Sequence, residues 1–284
     1  MSNEKSILEE FRCILNNYIP DNFKTNSAKG FFEAAQSGNL DQIKELLQQG
    51  KDDVNIRNCT CKIIEYAVYR HNLEIIQWIM EQGVDVNAKD EKGWTVLHFA
   101  AEIGEMELAR FFVEHGADVN AKNNEGWAVI HSAAWSGSLE LVQWLVEQGA
   151  DINVKDNTGW MVFDSAARSG SLGLVQWLVE QGADPNAKDK TDWMVIHSAA
   201  RSGSLELVQW LVEQGADIHA RDKTGWTVLH SAARSGSLEL VQWLIGQGAD
   251  PNAKDNTGWT VFDSADDSRD YELLQWFLNY YSIK

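Results

Sequence analysis

Apolar positions along the chain recur in two alternating patterns separated by polar joints. In "SLELVQWLVEQGAD", residues 204–217, Leu207, Val208, Leu211 and Val212 fall at helical spacing and predict an amphipathic helix. Ser204 is placed to cap its start, Glu206 stands in the positively polarised first turn, and Gly215 supplies a left-handed stop. The other pattern, "GWTVLHSAARSG" at 225–236, predicts a turn at Gly225, a helix beginning near Thr227 and a stop at Gly236. Ala232 and Ala233 keep one side of that helix small enough for close approach by a neighbour. The joints, such as "DINVKDNTG" at 151–159, have the Asp, Asn and Gly content of tight projecting turns.

The two patterns alternate with a fixed period. Trp94, Trp127, Trp160, Trp193, Trp226 and Trp259 each stand 33 residues from the next. A second series, Trp144, Trp177, Trp210, Trp243 and Trp276, keeps the same step and extends back through Phe111 to Trp78. A strict period of this length is the signature of a solenoid, whose units bury their apolar faces only against one another. The expected fold is therefore all-α, built of helix-turn-helix units joined by β-hairpin-like loops. Residues 30–284 would hold about seven to eight units. Residues 1–29 carry Ile7, Phe11, Ile14 and Tyr18 on one helical face, closed by Pro20, and are expected to form an N-terminal cap or a docking helix.

The repeated words resemble the ankyrin-repeat family. "GWTVLHFAA" at 93–101 pairs with "GADVNA" at 116–121, and "GWTVLHSAA" at 225–233 with "GADPNA" at 248–253. The family's helix-starting proline is replaced by Val96, Val129, Val162, Val195, Val228 and Val261. The motif histidine is kept as His98, His131, His197 and His230 but becomes Asp164 and Asp263. The resemblance implies a protein-interaction scaffold with a concave binding face, and histidines that tie successive units by hydrogen bonds. It places Trp94, Trp127, Trp160, Trp193, Trp226 and Trp259 toward that face and Arg168, Arg201 and Arg234 at its border, with Trp135 in the arginine position of its own unit. It also implies that Asn153 and Asn186 sit in exposed loops similar to those an asparaginyl hydroxylase modifies. Two plainer readings stand beside the binding ladder: the first tryptophan series could pack across neighbouring loops, and the residues could repeat only because the unit was copied. The near-duplicate units also resemble ankyrin proteins of intracellular bacterial symbionts, which implies an effector acting on host protein.

Composition narrows the partners. With 24 Lys plus Arg against 42 Asp plus Glu, the formal charge is -18, which repels nucleic acid and anionic membranes and favours a neutral or basic protein. Three cysteines and the charged start "MSNEKSILEEF" point to the cytoplasm, or to a host cytoplasm after secretion, with neither a membrane span nor a disulfide framework. No metal or cofactor is expected. Stacked histidines such as His197 and His230 should lie about 10 Å apart, too far to share one ion. Adjacent His197–Ser198 and His230–Ser231 diverge around a helix, so they do not form a base and nucleophile, and no catalytic residue is expected. The chain is read as a monomeric, non-enzymatic scaffold; the alternatives are a regulatory inhibitor that occludes an enzyme and a self-associating spacer.

Overall fold

The computed structural model describes residues 34, 40–49, 64–65, 67–81 and 83–283. The helix expected within 1–29 lies outside them. The chain forms two compact units, Met1–Asp90 and Glu91–Lys284. In the first, α1 (Leu40–Gln49) buries Ile43, and α2 (Leu73–Glu81) buries Ile75, Ile76 and Ile79.

The second unit contains six helix pairs: α3 (Val96–Glu102) with α4 (Met106–Glu114), α5 (Val129–Ser136) with α6 (Leu139–Glu147), α7 (Val162–Ser169) with α8 (Leu172–Glu180), α9 (Val195–Ser202) with α10 (Leu205–Glu213), α11 (Val228–Ser235) with α12 (Leu238–Gly246), and α13 (Val261–Ser268) with α14 (Tyr271–Ile283). The first helices of successive pairs pack directly on one another, and each second helix backs its own partner. Small residues make this possible. Ala100 and Ala101, Ala133 and Ala134, Ala166 and Ala167, Ala199 and Ala200, and Ala232 and Ala233 are all fully buried along that row. In α13 the second alanine is replaced by an exposed Asp266.

The helix ends follow from local chemistry. Ser138, Ser204 and Ser237 accept from the backbone N–H of Leu141, Leu207 and Leu240, satisfying an orphan donor at each start. The stripe of α10 is narrower than its spacing suggested: Leu207, Val208 and Leu211 are buried, whereas Val212 is half-buried because it lies at the shoulder of the outer row.

Each joint is a minimal hairpin held by one antiparallel bridge, Lys155 to Met161, Lys188 to Met194 and Arg221 to Thr227 among them. An aspartate closes it from inside: Asp156, Asp189, Asp222 and Asp255 accept from the backbone N–H of Trp160, Trp193, Trp226 and Trp259. Neighbouring joints are then stitched together. Asn157 N donates to Glu125 O at 2.9 Å, Lys190 N to Thr158 O at 3.1 Å, Lys223 N to Thr191 O at 2.9 Å and Asn256 N to Thr224 O at 2.8 Å. Close approach explains the glycine at the turn. Gly126 has φ 81°, and a Cβ there would lie 2.7 Å from Asn157 Oδ1. Asp192 fills the equivalent place with φ 62°. The expected solenoid of helix pairs with hairpin-like joints is the observed architecture.

Candidate protein-binding face

The joints deliver the first tryptophan series to the start of each first helix. Each ring is fixed by its own repeat. The indole N–H of Trp127, Trp160, Trp193, Trp226 and Trp259 donates to the hydroxyl of Ser132, Ser165, Ser198, Ser231 and Ser264, five residues on, at 2.8 to 3.1 Å. The ring of Trp127 stacks on His131 at 4.9 Å, and those of Trp193 and Trp226 lie tilted against His197 and His230 at 5.0 Å. Trp94 stacks on Phe99 at 5.6 Å, since phenylalanine stands there in place of serine. These five rings from Trp94 to Trp226 are half-buried, and Trp259 is 41% exposed. The series is thus part packed and part open. Sequence reasoning missed the serine anchors, although the repeated serine after the histidine was the visible signal. His197 and Ser198 face different partners: Nδ1 of His197 accepts from Met194 N, and Ser198 serves the indole.

Beneath the tryptophans lie the histidine ties. Because Nδ1 of His98, His131 and His230 accepts from the backbone N–H of Thr95, Ala128 and Thr227, the ring proton sits on Nε2. That Nε2 donates to the carbonyl of Trp127, Trp160 and Trp259 in the next repeat, each at 3.2 Å. Burial keeps the His131 and His230 rings neutral, pushing His131 down to about 4. His197 is an exception, since its buried Nε2 has no hydrogen-bond partner.

Immediately after the alanine pairs, the first helices carry a second row at the same period: Glu102, Trp135, Arg168, Arg201, Arg234 and Asp267. Neighbouring members are in contact from Trp135 to Arg201 and again from Arg234 to Asp267. Trp135, 41% exposed, meets Trp127 edge-on at 6.2 Å, and the Arg168 guanidinium lies over the Trp135 ring at 5.6 Å. Arg168 Nη1 donates to Arg201 O at 3.2 Å. Arg234 pairs with Asp267 at 2.8 Å and lies 5.9 Å from the centre of the Trp226 ring. Burial, reinforced by Arg234 and Arg168, lowers the Arg201 guanidinium to about 10. The structure therefore brings Trp127, Trp135, Arg168, Arg201, Arg234 and Trp226 into one continuous strip, with Trp160 and Trp193 in the repeats between. Trp94 and Trp259 stand in the flanking repeats. The acidic ends of the row, Glu102 and Asp267, escaped the sequence reading because only aromatic and basic residues were sought there.

The family model described as ankyrin repeats (3 copies) matches residues 5–90, 64–156, 163–255 and 196–283, and that described as ankyrin repeats (many copies) matches 136–179. The chain belongs to the ankyrin-repeat family. Ankyrin repeats generally mediate protein–protein interactions and are typically non-enzymatic. No curated protein matches the chain. Among the described residues of this ankyrin protein, no group of three or more His, Cys, Asp and Glu is placed to hold a metal ion, and no helix is long and apolar enough to cross a membrane.

Proposed function

We propose that this ankyrin protein is a non-enzymatic scaffold that binds a protein partner along the strip formed by its first helices and joints. The observation that carries this reading is the row from Trp135 to Arg234, where aromatic and guanidinium groups of adjacent repeats lie in contact yet remain partly open. Tryptophan and arginine supply most of the binding energy at protein interfaces, and rigid repeats present them without an ordering cost at binding. The charge of -18 supports a neutral or basic partner over a polyanion. The protein would act in a cytoplasm, as a monomer. The near-copied repeats support an effector that acts on host protein.

A photo-crosslinking residue at position 135, compared with one at the exposed outer position Gln242, tests the reading in extract from the cells in which the protein acts. A single stoichiometric partner joined at 135 and not at 242 is the expected outcome. Capture only at 242 would move the interface to the outer helices. Crosslinking to further copies of the chain alone would favour the self-associating spacer, and an enzyme caught with its active site covered would favour the inhibitor.

A further inference from the structure

The arginine row is unusual because it concentrates like charge in an acidic protein. The pair at its end shows how the row is neutralised when a repeat supplies an acid: Asp267, one repeat on from Arg234, meets that guanidinium at 2.8 Å. Arg168 is satisfied differently, by the Arg201 carbonyl and by the face of Trp135. For Arg201 the next repeat offers Arg234 instead of an acid, and its guanidinium makes no ion pair or hydrogen bond among the described residues. It is half-buried between two other arginines, so water screens it incompletely.

We propose that Arg201 is the docking point for one acidic side chain, an aspartate or glutamate, of the protein partner, with Trp135 and the flanking Arg168 stem receiving an apolar neighbour of that acid. The inference rests on the binding strip described above and names the chemistry it takes. A carboxylate matches the planar fork of a guanidinium with two parallel hydrogen bonds. The charge balance also favours a single acid. The row carries three guanidiniums against two carboxylates, Glu102 and Asp267, Arg168 is already engaged, and the surrounding protein is strongly negative, so a polyanion such as nucleic acid is repelled. The fitting partner is a neutral or basic protein that presents one isolated acid.

The test is selection of a phage-displayed random peptide library on the full-length chain, followed by fluorescence polarisation of the recovered peptides. Recovered peptides should share an acidic residue beside an aliphatic or aromatic one. Arg201→Gln should weaken them tenfold or more, and Arg201→Lys, which keeps the charge but not the fork, about threefold. Arg110→Gln on the outer face should leave binding unchanged. Replacing the peptide acid by its amide should cost as much as Arg201→Gln, and the two changes together no more than either alone. Thermal melts of both Arg201 variants identify any loss due to misfolding, and the peptide amide reports on the contact with the wild-type chain intact. Peptides that bind the strip but lack an acid, or that bind Arg201→Gln equally well, would overturn the carboxylate inference and leave the scaffold standing. Failure of the chain to retain any peptide would count against the scaffold reading itself.

Discussion

Asp164 and Asp263 occupy the same place in their repeats and experience opposite environments. Both accept from the backbone N–H of the residue before the helix, Met161 at 3.0 Å and Thr260 at 2.7 Å. Thr260 adds its hydroxyl at 2.6 Å, and this hydrogen bond holds the Asp263 carboxyl below its ordinary range. Met161 has no hydroxyl to give. Asp164 is fully buried, its Oδ1 has no partner, and burial pushes its carboxyl up to about 7, with Asp189 and Asp156 adding to the rise. A third repeat completes the contrast: His131 in the same position ties to the next repeat and is pushed the other way, down to about 4. The difference teaches that a repeat position has no fixed chemistry. A histidine there can tie to the next repeat's carbonyl, as His131 does, whereas an aspartate needs a second donor, and of the two aspartates only Asp263 has one.

The largest effect expected from this contrast concerns pH. For Asp164 the folded value lies above the unfolded one, so the stability it permits is fully present below about pH 4 and is lost as pH rises toward about 7. At about 1.4 kcal/mol per pH unit the loss has an upper bound of about 4 kcal/mol. Asp164→Asn should therefore stabilise α7 and α8 at pH 8 and have little effect at pH 4, read from amide-exchange protection factors across 162–180. His131 and Asp263 run in the opposite sense, since both have depressed values: His131 loses stability from about pH 6.5 down to 4, and Asp263 as pH falls below the ordinary carboxylate range. If the protection of α7 did not decline between pH 4 and 7, the buried, ionisable Asp164 would be the wrong account of its repeat.

The next effect separates packing from display. Trp193→Ala removes a half-buried ring and the hydrogen bond to Ser198, and should cost about 1 to 2 kcal/mol in denaturant melts. A cost near zero would mean that the ring is held for a partner alone. Trp210→Ala in the outer row is the comparison, and an equal cost would remove the distinction between the two series.

Smaller gains should follow from giving a repeat what its neighbours have. Thr95, Thr227 and Thr260 precede their helices, but Ala128 stands at that place before α5. Ala128→Thr should add about 0.5 to 1 kcal/mol by capping the His131 N–H, unless the hydroxyl disturbs the His131 ring, which a lowered melting temperature would reveal. Smallest is Asp192→Gly, which relieves a left-handed residue at a joint where other repeats use glycine and should raise stability by about 0.5 kcal/mol. An unchanged melting curve would show that Asp192 tolerates φ 62° without cost.

The period, the paired helices and the joints were legible in the sequence because each depends on contacts within one repeat or with an identical neighbour. Ser204, Gly215 and the Asp156-type turn aspartates act over a few residues, and the alanine pairs act against the first helix of a like repeat, so the pattern determines them wherever it recurs. Family membership was legible for the same reason, in words such as "GWTVLHSAA". What only the tertiary structure decided lies between repeats that are not identical. The sequence shows aspartate at 164 and at 263 but not that one is sealed by the following repeat and the other relieved by Thr260. It shows three arginines in register but not that Arg168 is engaged by a carbonyl, Arg234 by Asp267, and Arg201 by neither. Those outcomes depend on the distance and direction between side chains a full period apart, which packing of the first helices sets and no local pattern encodes.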